Sequence, residues 1–519
     1  MTPSSSRLAL CLLLPFALAA VPGGEAAASV ARPPAPDAVR AREALAQYRN
    51  RAAAALALAD GEDHAAADQA LTAVIADPLL DALAPGDRYR LLSAAGLAAL
   101  QAGDNVRARG IYRRAIAIDA AAPGEPDDWY RLAFAEQWSG EHEAAATHLV
   151  RMVEGWPEFV DNLDVQLVAT LLHDLDDGSQ ARLDLLQALF DAGWTRGRIG
   201  ASTDWQTLAL MRLQRGEIDL ARAAIARITD PDPLAKIASD RRFDAALAGQ
   251  PPLPAVEDAA LHMLERLREQ AGREPRRLSL QSEVSYALLA LGRNQEAIDL
   301  ADALLARIAA ASDGDPPFDD VGEQVWLANN RAIAMRRLGR TDEALGELVR
   351  ASGLDENGET NVSQVLNLAQ FQCSLGRPRD ALATLARVGE NMSDYGRMVR
   401  AAAQQCAALA VSDAAMAGQA MAYLRAHRDD ARPIFLVGLV RANRMDEAAA
   451  TLVALLDSED GREDILLRLQ DYREPAPLPG DAEAERHWQA LVARADVQAA
   501  IARVGRVHHY DLWVDNWSM

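Results

Sequence analysis

The chain has 519 residues, of which 50% are apolar, so it is long enough for several domains or one extended array and apolar enough to fold. Aromatic residues make up only 5%, whereas alanine is abundant, which favours closely packed α-helices. The formal net charge is −22 and no block of lysine or arginine stands out, which excludes nucleic acid as the expected partner and indicates a soluble surface.

The first 28 residues have the pattern of a secretory signal peptide. Arg7 precedes an apolar run from Leu8 to Leu14, and small residues at 17–19 or 26–28 are candidate cleavage sites. The run is too short to span a bilayer, and no later segment approaches the roughly 20 apolar residues that a spanning helix needs. Cys11 lies inside the apolar run and is not predicted to carry a lipid. We expect export to the periplasm, with an extracellular location as the alternative, and removal of this segment.

From residue 40 onward a short phrase recurs, most clearly as LGRNQEAIDL, LGRTDEALGEL and LGRPRDALATL. Its turn position is occupied by Gly61, Gly103, Gly140, Gly216, Gly292, Gly339, Gly376 and Asn443. Alanine follows five residues later in each unit, and a small residue precedes the turn by seven in nearly all of them. Small side chains let two helices cross closely, and glycine or asparagine can adopt the left-handed conformation that ends a helix. Each unit is therefore predicted to be a helical hairpin.

These units resemble tetratricopeptide repeats (TPR). Residues 126–159 and 202–235 match best, because both place tryptophan, leucine, two alanines and a proline at corresponding positions. The resemblance covers most of residues 40–456 and implies an all-α, right-handed superhelical array of about ten TPR-like hairpins. Spacings longer than the usual period of about 34 residues indicate longer loops between repeats. Two degenerate units, residues 162–196 and 394–427, are predicted to be further hairpins.

Proline-rich segments predict how the array is divided. The expected order is signal peptide 1–28, linker 29–39, repeat block 40–250, linker 251–256, repeat block 257–471, linker 472–480, terminal helices 481–505 and aromatic tail 506–519. Similar phrases at 239–249 and 494–505 predict a short helix that covers the open end of each block. The alternative is chance similarity in an alanine-rich sequence.

The aromatic tail alternates apolar and polar residues, which is typical of an extended strand. We expect it to fold back onto its own array, with binding to another chain as the alternative. The histidine cluster to be weighed as a metal site comprises His508, His509, Asp511 and His487. Neighbouring residues on a strand point to opposite sides, so His508 and His509 are poorly placed to share a metal. The sequence predicts no metal site and no cofactor.

Cys373 and Cys406 are 33 residues apart, close to one repeat, and are predicted to occupy similar places on neighbouring first helices. The axes of packed helices lie about 8–10 Å apart, whereas a disulfide needs Cα atoms about 5.5 Å apart. We therefore expect two free, largely buried thiols.

The sequence contains no G-x-S-x-G, no H-E-x-x-H and no phosphate-cradling loop, so it predicts that the protein is not an enzyme. The leading hypothesis is an exported scaffold or adaptor that holds a peptide or partner segment in the concave groove of the array. One alternative is a subunit of an envelope, secretion or polysaccharide-export assembly. Another is an envelope enzyme whose site lies in residues 162–200 or in the tail.

In tetratricopeptide arrays that this chain resembles, an asparagine nine residues before the turn faces the groove and bonds an extended peptide. Asn330 and Asn367 occupy that place in two consecutive units, although the preceding unit has Glu283 there. The lysines of a carboxylate-binding array are also missing. The candidate partner-binding residues are Trp326, Asn330, Arg336, Asn367 and Gln370. The alternative is that both asparagines only cap or bridge neighbouring helices.

Overall fold

The computed structural model describes residues 36–118, 124–196, 200–311, 316–356 and 359–513, so the predicted signal peptide lies outside the described residues. The chain divides into two compact units, residues 1–119 and 120–519. The predicted linker at 251–256 lies within the second unit.

Residues 36–118 of the first unit form two helical hairpins. Its helices are α1 (Pro36–Ala59), α2 (His64–Ile75), α3 (Pro85–Gln101) and α4 (Asn105–Ala117), with a 3₁₀ turn at Pro78–Ala82. Helices α3 and α4 cross at Gly96, where an added Cβ would lie 2.7 Å from the ring of Tyr112. Only glycine therefore permits this approach.

The prediction for the first hairpin is wrong in register by one residue. Ala54 is exposed, whereas Ala55 and Ala67 are buried at the crossing. Gly61 does not adopt the left-handed conformation. The chain turns instead over residues up to Asp63, whose side chain accepts a hydrogen bond from the Ala66 amide and caps α2.

The second unit is an array of further hairpins with short helices between and after them. Before the middle of the chain, α5 (Pro126–Gln137) pairs with α6 (His142–Gly155), and α9 (Ser202–Gln214) pairs with α10 (Ile218–Ile225). Between these hairpins lie α7 (Val165–Asp174) and α8 (Gln180–Asp191), and α8 packs mainly against α6. Three helices follow: α11 (Pro231–Ser239), α12 (Asp244–Leu247) and α13 (Val256–Arg273). Short 3₁₀ turns lie at Pro157–Asn162 and Arg241–Phe243.

The remaining hairpins pair α14 (Leu278–Ala290) with α15 (Asn294–Ala309), α16 (Gln324–Arg337) with α17 (Thr341–Ala351), α18 (Val362–Ser374) with α19 (Pro378–Leu385), α20 (Asp394–Ala410) with α21 (Ala414–Ala426), and α22 (Arg432–Arg441) with α23 (Met445–Asp457). A 3₁₀ turn at Val321–Glu323 precedes α16. The array ends in α24 (Arg462–Arg468), α25 (Ala482–Val492) and α26 (Ala495–Val504), which share one hydrophobic core with α22 and α23. The all-α array is confirmed, and residues 394–427 form the predicted hairpin of α20 and α21. The prediction of a hairpin at residues 162–196 is wrong, because α8 packs mainly against α6 and not against α7.

Turn and crossing positions explain why these residues form hairpins. The turn residues Gly103, Gly140, Gly216, Gly292, Gly339, Gly376 and Asn443 all have positive φ, as does Ser412 between α20 and α21. The small residues seven positions before the turn, such as Ala133, Ala209, Ser285, Ala332 and Ala369, are fully buried. The residue types at the turn and seven positions before it therefore follow from the close crossing of the two helices in each hairpin.

Two small sheets complete the part of the fold that the structure describes. Strands β1 (Asp355–Glu356) and β2 (Glu359–Thr360) are antiparallel, and β3 (Asp471–Arg473) pairs in parallel with β4 (His509–Trp513). The predicted extended tail that returns to its own array is confirmed for β4, while residues 514–519 lie outside the described part of the chain. The Asp511 amide donates to Glu257 on α13 over 2.9 Å, and Arg506 pairs with Asp244 over 2.8 Å. The C-terminal segment thus joins the end of the array to helices α11–α14.

Gly292 provides a test of how the tail is held. It has φ +69°, and an added Cβ would collide with the Trp513 indole, over which the Arg337 guanidinium lies at 5.2 Å. Gly339 has φ +75° with no atom near the position of an added Cβ, so it is a matched control for backbone strain.

We expect Gly339→Ala to lower the free energy of unfolding by about 1–2 kcal/mol. Gly292→Ala should cost more and also release β4, measured as faster amide hydrogen exchange at residues 509–513. Equal exchange in the two variants would contradict this.

The prediction of two free thiols is wrong, because Cys373 on α18 and Cys406 on α20 form a disulfide. Their Cα atoms are 6.4 Å apart, within the range of about 4.4–6.8 Å that a bridge needs. The separation of helix axes was a misleading guide, since Cα atoms lie about 2.3 Å from the axis and facing residues approach more closely than the axes do. The buried alanines Ala381 and Ala407 lie in the same small cluster as the bridge, and small side chains permit such a close approach.

Candidate functional site

The two predicted asparagines connect neighbouring first helices. The Asn330 side-chain amide on α16 donates to the backbone oxygen of Ser282 on α14 over 3.2 Å. The Asn367 amide on α18 donates to the side-chain oxygen of Asn329 on α16 over 3.0 Å. Both residues therefore bridge helices, which is the alternative that the sequence left open. Binding of a peptide by the same residues stays a prediction.

A pocket of about 380 Å³ lies between α14 and α16. Its walls include Ser282, Glu283, Tyr286, Glu323, Trp326 and Asn330. We call it the α14–α16 pocket. Tyr286 is 51% exposed and Trp326 is 42% exposed, so two aromatic side chains stand open to solvent at its mouth. The structure thus brings together two of the predicted residues, Trp326 and Asn330.

The other three predicted residues lie outside this pocket. Arg336, Asn367 and Gln370 are half-buried further along α16 and α18. Sequence reasoning missed Glu283 as a site residue because it treated the acid as a departure from the asparagine pattern. The usable signal was the position rather than the residue type, since Glu283 stands nine residues before Gly292, as Asn330 does before Gly339.

The environment of Glu283 disfavours the charged form of its carboxyl. Its side chain is exposed, yet the surrounding protein desolvates the carboxyl and raises its pKa above the ordinary value. Exposure and desolvation coexist where a side chain lies on the wall of a pocket. The carboxyl has no hydrogen-bond or ion-pair partner among the residues that the structure describes. Nothing on the described chain therefore offsets its charge.

Residues 316–320, which precede α16, are bonded to the first turn of α14, where Ser279 lines the pocket. The Asp320 carboxylate accepts hydrogen bonds from the Leu278 amide over 2.6 Å and the Ser279 amide over 2.9 Å, at the start of α14. Phe318 is fully buried in the same hydrophobic cluster as Leu278, and Arg276 pairs with Asp319 over 2.8 Å. Asp320 therefore ties the turn that precedes α16 to the first turn of α14.

Replacing Asp320 with asparagine is expected to reduce stability by about 1 kcal/mol at neutral pH, because the helix loses a charged acceptor for its free amides. Burial alone would raise the pKa of Asp320, but hydrogen bonds from Ser279 and Leu278 outweigh burial and lower it below 3.8. A depressed folded-state pKa adds stability that is present above the unfolded value and lost as pH falls through the folded value. The free energy of unfolding in urea should therefore differ between wild type and Asp320→Asn by a constant amount above about pH 5. This difference should shrink below about pH 4. A difference that grows towards acid pH would contradict the assignment.

The segments that the sequence offered for catalysis or metal binding make structural contacts within the fold. Residues 162–196 contain the helices α7 and α8, which pack against α5 and α6. His508 contacts the Ala238 carbonyl oxygen at 3.2 Å, His509 contacts Asp471 at 2.8 Å, and His487 contacts the Val440 carbonyl oxygen at 3.0 Å. Among the described residues, no group of three or more histidine, cysteine or acidic side chains is arranged to hold a metal ion.

No protein-family model matches the chain, and no curated protein sequence matches it. Many solved structures match the chain, among them two that each cover 88% of it. The structure of Naa15/Naa10 bound to HypK-THB has 14% sequence identity, covers 88% of this chain and 67% of that chain, and gives a TM-score of 0.23. The crystal structure of the APC/C hetero-tetramer Cut9-Hcn1 has 13% identity, covers 88% of this chain and 86% of that chain, and gives a TM-score of 0.29. Within the described ranges, no helix combines the length and the apolar character needed to cross a membrane.

Proposed function

We propose that the protein is an exported scaffold that holds a segment of a protein partner against the first helices α14, α16 and α18. The observation that carries the proposal is the α14–α16 pocket, with Tyr286 and Trp326 exposed at its mouth. Tryptophan and tyrosine are enriched among the residues that dominate binding energy at protein interfaces. Asn367 and Gln370, half-buried on α18, would extend the same surface along a bound segment.

Trp326→Ala tests the binding part of this proposal. A partner is first captured by crosslinking and co-purification from producing cells, and its affinity for purified variants is then measured. We expect Trp326→Ala to weaken binding at least about tenfold, as truncation of an interface tryptophan commonly does. The melting temperature should change little because this side chain is 42% exposed.

Val349→Ala is the matched control, because Val349 is 50% exposed on the second helix α17. It should leave the affinity unchanged. Equal effects of the two variants, or no effect of Trp326→Ala, would show that the partner binds elsewhere.

Export is supported by the signal-like first 28 residues and by the disulfide, since disulfides persist mainly in oxidising compartments. Intact-mass measurement of the protein from cells should show a chain that begins after residue 19 or residue 28. Leu12→Arg, which interrupts the apolar run, should keep the N-terminal segment. An intact Met1 on the wild-type protein would contradict export by this signal.

A further inference from the structure

We infer that the α14–α16 pocket receives an arginine side chain of the bound partner segment. This inference rests on the proposed function and names the chemistry of the partner at one position. Charge, hydrogen-bond capacity and aromatic surface support it independently.

The charge argument concerns Glu283. Among the described residues, exposed glutamates with a lowered pKa are paired with arginine, for example Glu296 with Arg293 and Glu390 with Arg400. Glu283 has no such partner among the described residues, although the protein around it desolvates its carboxyl. A cation from outside would gain more from this carboxylate than from one in open water, because the local dielectric is lower.

The hydrogen-bond argument concerns Asn330, which is only 6% exposed. Its amide nitrogen is engaged by the Ser282 carbonyl oxygen, whereas its amide oxygen has no partner among the residues that the structure describes. Asn330 lines the pocket, so this oxygen is an acceptor available there. Together with the Glu283 carboxylate it offers two acceptors, and a ligand that only donates would satisfy both.

The aromatic argument concerns the mouth of the pocket. Tyr286 and Trp326 expose about half of their surface, and both rings can lie against a planar cation. Guanidinium is planar, carries five donors and no acceptor, and stacks on aromatic faces, whereas the ammonium of lysine is a compact and strongly hydrated charge. These properties favour arginine over lysine. A carboxylate would be repelled by Glu283, so an acidic segment is excluded from this position.

Selection of peptides provides the test. A random library of peptides of about 12 residues is selected against the immobilised wild-type protein, Trp326→Ala, Glu283→Gln and Glu154→Gln. Glu154 is an exposed acid on α6, so its variant changes the net charge equally at a distant place. We expect arginine to be enriched at one position with wild type and Glu154→Gln, and not with Glu283→Gln.

A double-mutant cycle then measures the contact. Replacing that arginine by citrulline, a neutral side chain of the same shape, should weaken binding to wild type at least about tenfold and change binding to Glu283→Gln much less. Enrichment of arginine that is equal in wild type, Glu283→Gln and Glu154→Gln would reflect net charge and would overturn the inference. Selected peptides that lack arginine, and whose binding is lost with Trp326→Ala, would overturn the inference while leaving the proposed function in place. If no selected peptide depends on Trp326, the proposed function fails and the inference fails with it.

Discussion

Replacing Cys373 and Cys406 together by alanine is expected to lower the free energy of unfolding by about 3–4 kcal/mol. The bridge closes a loop between residues 33 apart and thereby restricts the unfolded chain, which accounts for most of this figure. Both cysteines are buried between α18 and α20, so their loss also removes packing in the middle of the second repeat block. Urea unfolding followed by circular dichroism measures the change.

The reduced wild-type protein is the control for packing, because it keeps both sulfur atoms while losing the bond. Its unfolding midpoint should lie at a lower urea concentration than that of the oxidised protein and at a slightly higher one than that of the double alanine variant. Reductant should not change the midpoint of the double alanine variant. In unfolded but unreduced wild type, neither cysteine should react with an alkylating agent. Alkylation of both thiols without reductant would show that the bond is absent.

Replacing Arg441 by leucine is expected to cost about 3–5 kcal/mol, since it strands a buried carboxylate. Arg441 at the end of α22 donates to Asp481 over 2.9 Å, and both side chains are more than nine-tenths buried. The second carboxylate oxygen of Asp481 is buried without a partner among the described residues. Arg441 also donates to the Cys406 sulfur over 2.6 Å, so the pair lies directly beside the disulfide.

The double variant Arg441→Leu/Asp481→Leu separates a stranded charge from lost packing. It should be more stable than Arg441→Leu alone, because no buried charge remains. The exposed pair Arg340 and Glu343 is the control, and Arg340→Leu should leave the unfolding midpoint nearly unchanged. A double variant less stable than the single variant would contradict this explanation.

Much of the fold could be predicted because local rules act at each hairpin. A glycine such as Gly339 ends one helix whatever surrounds it, and alanines such as Ala332 and Ala344 are needed wherever two helices cross. The same rules failed at Gly61, where Asp63 caps the next helix and the turn takes a different course. They also missed the segment before α25, where the Gly480 amide donates to the Ser374 carbonyl oxygen over 2.7 Å and leaves no room for a side chain.

The candidate site was predictable only in part. The repeat register indicated the first-helix face and the positions of Asn330 and Asn367, because those follow from counting along one hairpin. Their hydrogen-bond partners, Ser282 and Asn329, belong to neighbouring helices. The exposed surfaces of Trp326 and Tyr286 likewise depend on how far apart α14 and α16 lie.

By itself, the sequence determined that this chain folds into helical hairpins, because turn chemistry and small crossing residues act within one unit of about 34 residues. Only the tertiary structure decided which side chains meet across units: Cys373 with Cys406, Arg441 with Asp481, and Glu283 with the pocket that Asn330 and Trp326 complete. The physical reason is that contacts between units require a precision of about an ångström in the spacing and rotation of neighbouring helices, as the narrow Cα range of a disulfide illustrates. Crossing angles and distances between helices depend on all the side chains at each contact, and a repeat pattern leaves them open.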